Sequence, residues 1–294
     1  MDTLLAADPP VDFVEIGNRL RAYRLGAGMR AEAIAEQLGV SRAAIYRMEK
    51  GDIVKIETLG RLAQLLGTSL ASMLGVESEY YHSAVAYIER MRQLEHGATR
   101  ILAHFEPVSY LLTSPHYAGH LRQMLAESPQ PAPAATIDAL LALLEERKQS
   151  FARSVPPITS LIDLRSLERF VHFGLVGRLD LPPAVRMERS LAARREIERV
   201  IELLDAQPIG LQIGIVDGSM PNVTFQVFER PGKAYVATSP FRFGEFPNVS
   251  TGIATVTAAP EAVRLYTAMV NDLWQRAYKG RDGAALLRRM LNSV

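Results

Sequence analysis

Between Val14 and Gly75 the chain stops on glycine five times, each time after a short run with helical spacing. "VEIGNRLRAYRLGAG" sets Ile16, Leu20 and Tyr23 on one face and ends at Gly26 and Gly28. "RAEAIAEQLG" groups Ala31, Ile34, Ala35 and Leu38 and ends at Gly39. "SRAAIYRMEKG" opens on Ser41, a good N-cap, turns Ala44, Ile45 and Met48 inward and ends at Gly51. "KIETLGRLAQLLG" and "SLASMLG" complete the set. Glycine just past a last helical residue is C-cap chemistry, because it enters the left-handed conformation without a Cβ clash. Helices this short cannot bury an apolar face alone, so the spacing predicts a five-helix, all-α domain over residues 1–77.

A chain of 294 residues has room for a second domain, and residues 78–294 have the texture of one. The long run from Glu79 to Phe105 carries Val85, Ile88, Met91, Leu94, Ala98, Ile101 and Phe105 as one stripe, which predicts a single long helix. Such a helix would either set the distance between two copies of the head or pack within its own domain. "SPHYAGHLRQMLAE" and "IDALLALLEERKQSFA" read as further helices, separated by the proline-alanine loop "SPQPAPAAT". After Pro156-Pro157, "ITSLIDL" reads as a buried strand and "RMERSLAARREIERVIELLDAQ" as a long amphipathic helix. "IGLQIGIVD" alternates with a period of two, "VTFQVFE" and "AYVAT" flank Pro231-Gly232 as a hairpin, and "GIATVTA" adds a strand. "APEAVRLYTAMVNDLWQRAYKG" is a closing helix. Strands mixed with helices predict an α/β or α+β domain.

Composition narrows the chemistry. The apolar fraction of 48% supplies real cores, and the net charge of +1 makes the whole chain no magnet for polyanions. Cysteine is absent, which excludes disulfides, thiolate metal sites and a cysteine nucleophile. The start, "MDTLLAADPPVDF", lacks the pattern of a secretory signal, and no apolar run reaches the ~18 residues of a membrane span. The expected location is the cytoplasm.

Two helices joined by a tight glycine turn, the second exposing polar side chains, can place that second helix in the major groove of DNA. Gly39 would make the turn, with Ala35, Val40 and Ile45 packed where the helices cross. Arg42 and Arg47 would then point outward, and arginine matches the O6/N7 edge of guanine, each good pair worth about 1–3 kcal/mol of discrimination. Ser41, at a helix N-terminus, suits a phosphate. "IGNRLRAYR", "AIAEQLGVSRAAIYRMEKG" and "TLGRLAQLLGTSLASML" together resemble the lambda-repressor/Cro-like, or XRE-type, DNA-binding domain. The resemblance implies that Arg42, Ala43 and Arg47 face bases, that Tyr46 and Lys50 lie nearer the backbone, and that Glu49 holds the fold. That family usually opens its second helix with Ser or Thr followed by Gln. Here Arg30 and Ala31 stand there, so the cap is lost while Arg30 can still reach a phosphate.

One recognition helix reads half a site, so a homodimer on a double-stranded operator is expected. "FEPVSYLLTSPHYAGHLRQML", "MPNVTFQVFE" and "EAVRLYTAMVNDLWQRA" resemble the effector region of bacterial XRE-type regulators, which implies sensing and dimerisation. A small-molecule pocket needs apolar walls and a few polar anchors. Phe225, Phe228, Phe241 and Phe243 supply walls, and Arg242 could anchor an acidic metabolite, unless these aromatics are ordinary core. Two other readings compete with a ligand-modulated transcription regulator. An adaptor would use the helical head for protein contact, which the nine basic and ten acidic side chains of residues 1–78 favour. An enzyme would need a site in the second domain. His116 and His120, four apart on a helix, have no neighbouring acid and read as a capped or surface pair rather than metal ligands. "DGSMP" lacks the second glycine of a nucleophile elbow and "GLVGRLD" lacks the Gly-Lys-Ser/Thr of a phosphate loop. No catalytic residue, metal or cofactor is therefore expected. Trp274 reads as core, and Arg194-Arg195 with Glu196 and Glu198 as a solvated helix face.

Overall fold

A computed structural model describes residues 12–52, 55–76, 78–153 and 156–293. The chain divides into two compact units, Met1–Val76 and Glu77–Val294.

The first unit is built from α1 (Phe13–Gly26), α2 (Ala31–Leu38), α3 (Arg42–Met48), α4 (Ile56–Leu65) and α5 (Leu70–Leu74). Local chemistry starts and stops them. The Asp12 carboxylate accepts from the Glu15 N–H at 3.1 Å to open α1, and Gly39, at φ +68°, closes α2 in the left-handed conformation. Ile16, Leu20, Ile34, Ile45, Leu62 and Met73 form the core, each exposed by 1% or less. Helix α1 meets the end of α3 backbone to backbone at Gly17, where an added Cβ would stand 2.6 Å from the Glu49 carbonyl oxygen. Val40, expected at the α2–α3 crossing, is exposed, and Ala35 and Ile45 are the buried residues there. The chain has just left the left-handed turn at Gly39, and this directs the Val40 side chain to solvent.

The second unit runs β1 (Ser78–Tyr81), α6 (Ala84–Glu95), β2 (Arg100–His104), a 3-10 turn (Tyr110–Leu112), α7 (Tyr117–Glu127), α8 (Ala134–Arg153) and β3 (Ile158–Asp163). It continues with α9 (Leu164–Phe173), α10 (Pro183–Ala206), β4 (Leu211–Val216), β5 (Thr224–Arg230), β6 (Lys233–Ser239), β7 (Ala254–Thr257), α11 (Pro260–Arg276), β8 (Tyr278–Lys279) and α12 (Gly280–Ser293). The strands form one eight-stranded sheet in the order β1-β7-β6-β5-β2-β3-β4-β8. Strands β2, β3 and β4 are parallel neighbours and every other pairing is antiparallel. The intervening helices supply the crossovers that parallel pairing requires.

Both faces of the sheet are covered. Leu102, Leu161, Phe225, Val227 and Val236 pack against Val270 and Leu273 of α11, with Tyr266 and Trp274 partly buried beside them. Trp274 lies over Gly214 of β4, whose missing Cβ would stand 2.8 Å from the indole. On the opposite face, Arg90 of α6 lies over the Tyr235 ring at 5.7 Å, with Ile101 and Phe228 in register beside that ring.

Three expectations change here. The run from Glu79 to Phe105 is not one helix but β1, α6 and β2. Ser83 caps α6, and Ile101, Ala103 and Phe105 obey a period of two as readily as a helical one. Helix α6 is buried along almost its whole length, so its stripe packs within its own unit. Glu196 does not belong to a solvated face either: it is 5% exposed and accepts from the Ser114 N–H at 2.8 Å and the Ser114 hydroxyl at 2.5 Å. Helices α9 and α12 are not marked in the sequence, since "LRSLERFVHF" and "GRDGAALLRRMLNS" carry no strong glycine or proline punctuation at both ends.

Candidate nucleic-acid interface

Helix α3 is seven residues long, so its start is chemically dominated by its cap. The Ser41 hydroxyl oxygen accepts from the Ala44 N–H at 3.1 Å, and its own hydrogen has no acceptor among the described residues. Ile45 and Met48 turn inward, which obliges Arg42, Ala43, Tyr46 and Arg47 to face out, and all four are exposed. Lys50 follows just beyond the helix and is exposed as well. Arg30, at the N-cap of α2, is exposed and makes no side-chain cap bond, as a guanidinium with no acceptor must.

Glu49 has the opposite fate. It is 7% exposed, and its carboxylate takes Arg24 Nε at 2.5 Å and Nη2 at 3.2 Å. Arg24 also donates to the Met29 carbonyl at 3.1 Å. This buried fork ties α1 to the end of α3 and fixes the angle at which α3 presents its outer face.

Two acidic partners of the exposed arginines were not foreseen. Arg42 Nε lies 2.8 Å from Glu32, and Arg42 Nη2 donates to the Tyr46 hydroxyl at 3.4 Å. The Tyr46 hydrogen bond and then the Glu32 carboxylate raise the Arg42 pKa, so this group is a fixed cation. Arg47 Nε lies 3.8 Å from Asp52. Exposed pairs of this kind are worth about 0–1 kcal/mol. A bidentate guanidinium contact to a planar acceptor pair is worth about 1–3 kcal/mol, so pairs this weak orient the arginines without locking them. Glu32 sits on α2, so only the α2–α3 crossing brings it to Arg42.

Residues 15–74 match the family model described as a helix-turn-helix domain. The match covers the first unit and leaves the second outside it. A comparison with curated proteins returns no match. Among solved structures, the apo form of ComR from S. Thermophilus is 17% identical, over 66% of this chain and 52% of that one, with a TM-score of 0.20. This chain thus spans about half the length of that solved chain, and at that score the likeness carries no structural argument.

The second unit does not bring the five proposed effector residues together. Phe225 and Phe228 differ by three along a strand and point to opposite faces of the sheet. Phe225 packs on Tyr266 of α11 with ring centres 5.1 Å apart, and Phe228 is fully buried on the other side. Phe241 packs on Tyr87, and the Phe243 carbonyl accepts from the Tyr117 hydroxyl at 2.7 Å. Arg242 is held by Glu245 at 3.0 Å and lies 3.8 Å from Glu106, so its charge is already answered. Phe241, Arg242 and Phe243 border a void of about 20 Å³. That is space for a water molecule and not for a metabolite.

His116 precedes α7 and His120 lies in its first turn. Burial, then the positive charge of Arg189, depress the His120 pKa, and Arg195 and His116 act in the same direction. Among the described residues, no group of three His, Asp or Glu side chains is placed to hold a metal ion. Among them, too, no helix is long and apolar enough to cross a membrane.

Proposed function

We propose that this protein is a sequence-specific DNA-binding transcription regulator, homodimeric on its operator, whose operator affinity is set by a small molecule taken up by the second unit. One observation carries the reading. Within a helix-turn-helix unit, the second helix turns Arg42, Ala43, Tyr46 and Arg47 to solvent while Glu49 is turned in and neutralised by Arg24. A surface built for base edges needs solvent-facing donors on the outer face, held by nothing stronger than exposed ion pairs, and a rigid mounting behind them. Ser41, Arg30 and Lys50, all exposed, are assigned to phosphates, contacts that position such a helix without reading sequence. An adaptor using this unit for protein contact would show no preference between a specific and a scrambled duplex.

The test is fluorescence anisotropy with the duplex upstream of the coding sequence, against a scrambled duplex, at two salt concentrations. Preference for the first by about a thousandfold or more supports a regulator. Arg47→Ala should then weaken the specific complex by about 1–3 kcal/mol and relax one base position. Lys50→Ala should weaken both duplexes alike and lower the salt slope by about 1. Equal loss on both duplexes for Arg47→Ala would remove it as a base reader.

A further inference from the structure

The face of the sheet covered by α6 and α8 is not completely filled. A chamber of about 720 Å³ lies between the ends of those two helices, the start of β2 and the 3-10 turn. Small-molecule sites occupy about 300–1,000 Å³, so this space is the right size, unlike the void beside Arg242. Its body is apolar, with Ile101, Leu111, Phe151 and Pro157 as walls. A separate recess of about 10 Å³, deeper in the fold, has Glu95, Ile101 and Leu111 as walls in common with the chamber. Ser160 of β3 borders that recess; it is 1% exposed, and its hydroxyl has no hydrogen-bond partner. A buried hydroxyl left unpaired loses about 1–3 kcal/mol of solvation. It therefore marks a place where another polar atom belongs.

The charges around the chamber indicate the kind of ligand. Three guanidinium groups, from Arg92, Arg147 and Arg153, border it together with one carboxylate, Glu95. Arg147 is 3% exposed and is neutralised by Glu95 through two bonds at 3.0 and 2.5 Å. Arg92 gives Nε and Nη2 to the buried Glu89 at 2.8 and 2.9 Å and lies 3.9 Å from the exposed Glu146, while its Nη1 makes no hydrogen bond among the described residues. Arg153, exposed at the end of α8, has no ion-pair partner among the described residues. The carbonyl ends of α6 and α8 oppose this with about half a negative charge each, an effect that fades within one turn and in salt. A directed guanidinium–carboxylate bond is short-ranged and outlasts that diffuse field.

We infer that the chamber binds an amphipathic small molecule of drug-like size, with an apolar body and one anionic group. The body lies on Phe151, Leu111 and Ile101, and the anion meets Arg153 and Arg92 Nη1 at the rim. A single water in the recess satisfies Ser160. Only the role of this molecule as effector rests on the regulator reading; its binding does not.

The probe is 1-anilinonaphthalene-8-sulfonate, an aromatic anion, titrated into the full chain without DNA, with the uncharged N-phenyl-1-naphthylamine as its neutral counterpart. The expected result is saturation at one anionic probe per chain. Arg153→Glu, a change at an exposed helix end, should weaken the anion by about tenfold or more and leave the neutral probe within about twofold. Ser150→Trp places a bulky ring in the chamber from an exposed helix position and should abolish binding of both probes with the melting temperature unchanged. Multiple weak binding that Ser150→Trp leaves intact would overturn the chamber as the site. Loss of both probes in Ser150→Trp with neither changed in Arg153→Glu would overturn the anionic class. Because no DNA is present, these outcomes are independent of whether helix α3 reads an operator.

Discussion

Substituting Glu49 separates the mounting of helix α3 from its outer face. Glu49→Gln keeps the shape of the side chain and removes its charge, which leaves Arg24 buried with its side chain 8% exposed. The Arg24 bond to Met29 and one to the retained amide oxygen do not neutralise it, and Arg21, at 3.9 Å from Glu49 and 40% exposed, is solvated in either protein. Removing one partner of a buried ion pair costs about 3–5 kcal/mol. A whole domain is stable by about 5–15 kcal/mol, and a unit of five short helices belongs at the lower end. The substitution should therefore remove most of the stability of the first unit. Hydrogen exchange read by mass spectrometry follows the two units separately in the intact chain. Peptides from α1 to α5 should lose roughly two to four powers of ten in protection, at 1.36 kcal/mol for each. Peptides from residues 78–293 should be unchanged. Arg24→Met combined with Glu49→Leu should recover most of the loss, because apolar replacement of a buried pair is often neutral. Loss of protection by less than about tenfold in Glu49→Gln, or a double variant no better than the single one, would show that the fork is not what mounts α3.

Other substitutions test the same physical reasoning. Gly17→Ala forces a Cβ to within 2.6 Å of the Glu49 carbonyl; the expected loss is at least about 1–3 kcal/mol in a thermal melt, and a neutral result would mean that α1 and α3 do not pack backbone to backbone. Ser41→Ala removes the bond to the Ala44 N–H and should cost about 1 kcal/mol of first-unit stability, read by hydrogen exchange, whereas Ser41→Gly should cost only a few tenths. His104 is fully buried between the carbonyls of Leu161 and Pro221, each 3.2 Å away. Burial outweighs these acceptors and holds its pKa below the ordinary 6.5. Its folded pKa being depressed, the unfolded chain takes up protons first as pH falls, so the contribution of neutral His104 is full above that value and is lost below it. Urea midpoints followed by Trp274 fluorescence should fall between about pH 7.5 and 5.5, and His104→Gln should flatten that fall. An unchanged pH profile in the variant would assign the effect elsewhere.

The chemistry that makes the first unit legible is local. Ser41 and the glycines after each helix act on backbone groups within a few residues of themselves, so caps, stops and the outward placement of Arg42 and Arg47 can be read from neighbours in the chain. The alternation in β4 and the hairpin of β5 and β6 are legible for the same reason. Periodicity is ambiguous where two periods fit the same residues: Ile101 and Ala103 suit a strand or the tail of a helix, and only pairing with β3 and β5 decides for the strand. The aromatic cluster misled although the parity of Phe225 and Phe228 already placed them on opposite faces.

Chain order alone specifies the helix-turn-helix unit and the face it presents. Tertiary structure alone decided which charges are committed. Arg24 to Glu49, Arg42 to Glu32, Arg147 to Glu95 and Arg242 to Glu245 are pairs made by helix and loop crossings. It alone decided as well where space is left, since the chamber at the ends of α6 and α8 is bordered by residues from separate elements. Capping and periodicity act over one or two turns of chain, while ion pairs and cavities depend on how finished elements meet.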